Sequence, residues 1–200
     1  VKIGVFGLET PETATKAHPA KIKGVTILGD KSMFDCAQAQ VDSLKADGCD
    51  YIICLGHLGI DKESLGNRST DLLNVVDGID VFIDGHSHST MKDIAEVTDK
   101  DGKVNGTLLT STGTKLANIG KMTITPEGKV STELVNGYTE VDAETDAFVK
   151  NIQAQFSDKL NEVVAKSNVD LVVNDPETGK RLIRNRETNL GDLCADAYRT

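Results

Sequence analysis

The chain has 200 residues, and Val, Ile, Leu and Phe account for 53 of them, enough for a buried core and too many for a disordered or fibrous protein. Acids outnumber bases 31 to 22; the resulting net charge of −9 argues against non-specific nucleic-acid binding and against adhesion to an anionic membrane. No apolar run is long enough to span a bilayer, and residues 1–9 carry no signal-peptide pattern.

Residues 2–8, KIGVFGL, read as a buried strand at the very start of the chain. A turn-rich connection with two prolines follows over 10–24. Ser32 to Ala46 reads as a helix, with Phe34, Ala37, Val41 and Leu44 on one face, Ser32 and Asp35 as a capping box and Gly48 beyond its end. Residues 51–55 form a second buried strand, 69–76 a short helix, and 80–83 a third strand. This alternation predicts a largely parallel sheet with right-handed crossovers.

After residue 92 the segments 92–98, 107–111, 119–125 and 130–139 are short and rich in Thr, Val and Ile. With Asp101-Gly102 and Glu127-Gly128 as turns, they read as antiparallel strands added to the sheet. Residues 146–165 carry an apolar stripe of Phe148, Ile152, Phe156, Leu160 and Val163, and read as a long helix. That helix is either a linker between domains or an element packed on the sheet. Residues 175–179 form a turn, and a last helix begins near Asn189. Both ends of the chain look cut.

Three of the four histidines stand in two similar phrases, YIICLGH at 51–57 and VFIDGHSH at 81–88. In each, an apolar strand ends in Gly-His. On parallel strands His57 and His86 would both lie beyond the carboxyl edge, where open α/β sheets bind ligands. If residues 86–88 stay extended, His86 and His88 project to one side, a spacing that suits one ligand on each of two metal ions. The plainer alternative is three hydrogen-bonded structural histidines. His18 precedes a proline and reads as solvated. Asp84 can orient an imidazole or cap a turn, and the second role is favoured; Asp61 and Glu63 read as solvated. Imidazole suits Zn, Mn, Fe, Co or Ni alike, so the residue types do not select the metal. Cys36, Cys49, Cys54 and Cys194 have no C-x-x-C spacing, which removes a zinc knuckle and a redox pair. There is no GxSxG and no phosphate-binding GxxxxGK[ST].

The phrases VKIGVFGLETPETATKAHP, CLGHLGID, IDGHSHST, GTLLTSTGTKLANIGKMTI and RETNLGDLCADAYR, in this order, resemble the 5′-nucleotidase family, secreted or surface-bound calcineurin-like metallophosphoesterases. The resemblance implies an α/β fold, part of a metallophosphatase-type α/β/β/α sandwich, with parallel strands, then antiparallel hairpins, then a long helix. Residues 1–143 would be the C-terminal half of the metallophosphoesterase domain, 144–167 a linker helix, and 168–200 the truncated start of the C-terminal substrate-binding domain. The family's amino-terminal half, which supplies its Asp-x-His motif, a further Asp and its Asn-His motif, has no counterpart in the chain, so it reads as an internal piece of a longer enzyme.

Carried over residue by residue, His57 and His86 would bind one divalent metal ion and His88 the other. The metal could be Zn, Mn, Co, Fe or Mg. The implied activity is hydrolysis of nucleoside 5′-monophosphates or related esters through a metal-bridging hydroxide. The alternatives are a 2′,3′-cyclic-nucleotide phosphodiesterase and a non-catalytic binding or assembly module. With three histidines and no bridging carboxylate, this chain alone is expected to be inactive. An uncovered sheet face is expected to drive self-association. The resemblance also implies an extracellular, periplasmic or cell-surface location.

Overall fold

A computed structural model describes residues 1–163, 165–179, 181–183 and 186–199. These fall into two compact units, residues 1–138 and 139–200. The first unit runs β1 (Ile3–Glu9), α1 (Thr13–Lys16), α2 (Asp30–Ala46), β2 (Tyr51–His57), α3 (Ser69–Leu73), β3 (Val81–Asp84), α4 (Met91–Ala95), β4 (Lys103–Val104), β5 (Thr107–Ser111), β6 (Ile119–Ile124) and β7 (Val130–Val135).

Strands β1, β2, β3 and β5 are parallel neighbours, and β4 closes one edge antiparallel to β5. One face of this sheet buries Phe6, Ile52, Cys54, Phe82 and Leu109 against Met33, Ala37 and Val41 of α2, Leu72 and Leu73 of α3, and Ile94 of α4. Met33, Ala37 and Val41 recur every four residues, which is the stripe a helix needs to lie on a sheet. Each fully buried Leu, Ile or Phe in this layer contributes about 1.5–3 kcal/mol through burial. Gly56 is required by this packing. A Cβ there would lie 2.1 Å from Cε1 of Phe82, whose ring is completely buried and has nowhere to move.

The opposite face places Ile53, Val81 and Leu108 against Met122 and Val130 of the β6–β7 hairpin, which is a separate two-stranded sheet. The hairpin leaves part of that face open. Ile3, Val5 and Leu55 are each about half exposed there. Helices, sheet and hairpin make three layers.

Five sequence expectations are corrected, the first being that 119–125 and 130–139 join the main sheet: β6 and β7 pair only with each other, as a separate sheet. Residues 92–98 are not a strand: Asp93 accepts from the Thr90 amide at 2.7 Å and from the Thr90 hydroxyl at 3.0 Å. That capping box starts α4 and outweighs local β propensity. Residues 107–111 are a strand, but parallel to β3. The 22 residues between Asp84 and Thr107 hold α4 and the β4 arm, enough for the crossover a parallel pair needs. Helix α2 begins at Asp30, behind Gly29, and the Ser32 hydroxyl donates to the Gly29 carbonyl at 2.7 Å in place of the expected capping box. The Asp101-Gly102 turn leads into β4, whereas Glu127-Gly128 does join the two strands of a hairpin.

The second unit contains α5 (Ala143–Asn161) and α6 (Asn189–Arg199). Helix α5 is set by Asp142, whose carboxylate accepts from the Thr145 amide at 2.8 Å. It ends at Asn161, short of the expected 165, because Glu162 is already extended. No residue of α5 is buried. Asn189 ties the start of α6 to residues 170 and 172: it accepts from the Val172 amide at 2.8 Å and donates to the Asp170 carbonyl at 2.9 Å.

Candidate functional site

Because β1, β2, β3 and β5 are parallel, their last residues, Glu9, His57, Asp84 and Ser111, share the carboxyl edge of the sheet. His57 is the last residue of β2, opposite Glu9, and His86 follows two residues after β3. The two imidazoles converge there, with ring centroids 5.0 Å apart and planes tilted by 58°. His57 is exposed, and the His86 side chain is 18% exposed.

The loop after β3 is not extended. His86 and His88 have φ of +66° and +56°, a left-handed conformation that costs a non-glycine residue energy. The expected same-side projection of the two rings therefore does not apply to this backbone, and the His88 side chain is exposed. The bend is held by local bonds: the Ser87 amide donates to the Gly85 carbonyl at 2.8 Å, and the Ser87 and Ser89 hydroxyls pair at 2.7 Å.

Asp84 locks the two histidine loops to each other. Its Oδ1 accepts from the amides of Leu58 and Gly59, at 3.1 Å each, and from Gly85 at 2.9 Å. Leu58 and Gly59 follow His57, while Gly85 precedes His86. The carboxylate thus performs the turn-capping role favoured from sequence, across two loops and not one. Gly59 sits at φ +72°, and a Cβ on it would meet the Ser87 backbone and side chain at 3.0 Å, so the loops touch directly. Asp84 Oδ2 and Ser111 Oγ are buried at this edge without a hydrogen-bond partner among the described residues. Beneath them, burial followed by the Asp84 charge pushes the Cys54 thiol far up.

Sequence reasoning missed Glu12. It lies in the connection after β1, and its Oε2 stands 3.3 Å from Nε2 of His86. Lys16 and the Ser64 hydroxyl both donate to the same carboxylate. The hydrogen bond from Lys16, then that from Ser64, hold the Glu12 pKa down at about 2. The signal was present: Glu12 lies three residues past the end of an apolar strand, so strand-end logic applied to β1 would have placed it at the histidine edge. His18 lies elsewhere, accepting from the Ala20 amide through Nδ1 at 3.2 Å.

Imidazoles are suitable donors for a divalent first-row cation, and the His57–His86 pair fits one in chemistry. In number it does not complete a shell. No group of three His, Cys, Asp or Glu side chains able to hold a metal ion occurs among the described residues. No described helix is long and apolar enough to cross a membrane.

The parallel sheet with its packed antiparallel hairpin is a mixed α/β fold, and it matches the fold of a solved calcineurin-like phosphoesterase. A solved structure of the calcineurin-like phosphoesterase YfkN from Bacillus subtilis superimposes with a TM-score of 0.53 over 78% of this chain and 51% of that one, at 24% identity. No family model matches the chain. Among curated proteins, the trifunctional nucleotide phosphoesterase protein YfkN of Bacillus subtilis is 29% identical over 203 residues, 98% of this chain. A 5′-nucleotidase of Diplobatis ommata is 35% identical over 88 residues, 44% of this chain. A 2′,3′-cyclic-nucleotide 2′-phosphodiesterase/3′-nucleotidase of Salmonella typhimurium is 26% identical over 114 residues, 53% of this chain. The chain spans 13% of the length of each of the first two and 17% of the third.

Proposed function

We infer that this chain is part of a metal-dependent phosphoesterase of the 5′-nucleotidase family, acting on nucleoside 5′-monophosphates or related nucleotide esters. The observation that carries this reading is the convergence of His57 and His86 on the carboxyl edge of neighbouring parallel strands. The relatives' names and the shared fold support it. His57 and His86 would hold one divalent cation and His88 would serve a second. A cation bound there supplies Lewis acidity and a hydroxide nucleophile at neutral pH. The protein's own part is to fix the imidazoles: Asp84 sets the spacing of their loops, and Gly56 and Gly59 let the backbone pack closely enough for the rings to meet.

The donor count supports a second element of the reading, that these 200 residues alone release phosphate only in traces. Two imidazoles fall short of the roughly four donors a phosphatase cation takes. Phosphate release from AMP with added Mn, Co, Zn or Mg tests both elements. The expected result is a trace of metal-dependent release that His57→Ala abolishes. A turnover in the ordinary enzyme range of about 1–1000 per second, lost in His57→Ala, would show the site to be complete. Release indifferent to both metal and His57 would remove the metallophosphoesterase reading.

The Salmonella relative's name favours a second substrate, 2′,3′-cyclic AMP, which belongs in the same assay. Self-association through the open apolar patch at Ile3, Val5 and Leu55 is part of the proposal. So is a location outside the cytoplasm, which rests on the family resemblance and is tested by fractionating cells that express the intact protein.

A further inference from the structure

The described side chains that reach His86 are His57 and Glu12. The Glu12 contact has a direction. Lys16 Nζ donates to Oε2 of Glu12 and the Ser64 hydroxyl donates to Oε1, so both oxygens already act as acceptors. A carboxylate in that arrangement can only accept from an imidazole as well. The nitrogen facing it, Nε2 of His86 at 3.3 Å, must then carry the hydrogen. Glu12 is itself well fixed, since its anchors come from two places: Lys16 one turn further along α1, and Ser64 on the loop after β2.

We propose that Glu12 is a positioning residue that pins the proton of His86 on Nε2 and leaves Nδ1 as the ring nitrogen with a free lone pair. The device resembles the carboxylate–histidine arrangement that orients imidazole ligands elsewhere, in which a second-layer acceptor chooses the tautomer and the ring angle. Here the acceptor comes from the strand end on the far side of β2, so the connection after β1 takes part in the histidine edge. The consequence for a cation rests on the function proposed above; the tautomer does not.

The test uses the full chain with 15N-labelled histidine, free of metal, at a pH above the ordinary imidazole range. Long-range 1H–15N correlations distinguish a ring protonated on Nε2 from one protonated on Nδ1. Wild type is expected to show His86 as Nε2–H alone. Glu12→Ala is expected to relax it to the mixed pattern of free histidine, and Glu12→Gln, which keeps an acceptor oxygen, to retain most of the bias. Glu12→Gln also serves if the alanine variant does not fold, because exchanging Ser64→Ala on that background removes the second anchor and should then mix the tautomers. An Nδ1–H ring in wild type, or a pattern unmoved by every one of these substitutions, overturns the proposal. A zinc titration of the same samples separates it from the metal reading. If zinc binds, Glu12→Ala should weaken it about 10- to 100-fold. If wild type takes up no zinc while the tautomer shifts as described, the cation reading fails and the role of Glu12 stands.

Discussion

Gly56 shows most directly how single residues hold the histidine edge. The Phe82 ring fills the space where a Cβ would be, one residue before His57. Gly56→Ala is therefore expected to cost about 1–3 kcal/mol, the usual range for overpacking a core, and to disturb His57 before the rest of the sheet. Chemical denaturation measures the first effect and the His57 ring resonances the second. Asp71 gives a pH dependence. Hydrogen bonding from the Arg68 side chain, with those from the Arg68 and Gly66 amides, lowers the Asp71 carboxyl below its ordinary value of 3.8. A carboxyl depressed in the folded state stabilises it fully above the unfolded value and loses that contribution as pH falls through the folded one. The stability gap between wild type and Asp71→Asn should thus be constant above the ordinary aspartate range and shrink as the solution is acidified below 3.8. A gap that instead widens on acidification would assign the wrong sign to this ion pair.

Among the elements, strands β1, β2 and β3 were legible because continuous β-branched runs ending in glycine or a loop leave few alternatives. Helix α2 was legible from its four-residue apolar spacing. Where the reading failed, local and distant terms competed. In α4 a capping box overrode a Thr- and Val-containing stretch, and the direction of β5 depended on the length of a crossover that local sequence does not encode. At the site, the Gly-His strand ends announced His57 and His86, while Glu12 was signalled only by its place after a strand end, since Ser64 and His86, which it meets there, lie 52 and 74 residues away. Helix α5 was open between linker and core element. We propose the linker, the role that the family resemblance implies. A chain ending at residue 143 is accordingly expected to keep a single cooperative thermal transition. Loss of that transition would make α5 part of the core.

At the level of the whole molecule, the two faces of the main sheet differ. The helical face is closed by α2, α3 and α4, and the other is only partly covered by the β6–β7 hairpin. With Ile3, Val5 and Leu55 exposed on adjoining strands, sedimentation is expected to show association that grows with concentration; a monomer at all concentrations would mean the patch is too small to matter. The charge of −9 opposes association at low salt, so added salt should strengthen it. The pairing of His57 with His86 is the feature on which the functional reading depends, and a cobalt or zinc titration followed by calorimetry probes it directly. One weakly held divalent ion per chain is expected, lost in His57→Ala and equally in His86→Ala, with His18→Ala binding as wild type does. Binding that survives both substitutions, or that depends on His18, would contradict a metal centre at the carboxyl edge of β2 and β3.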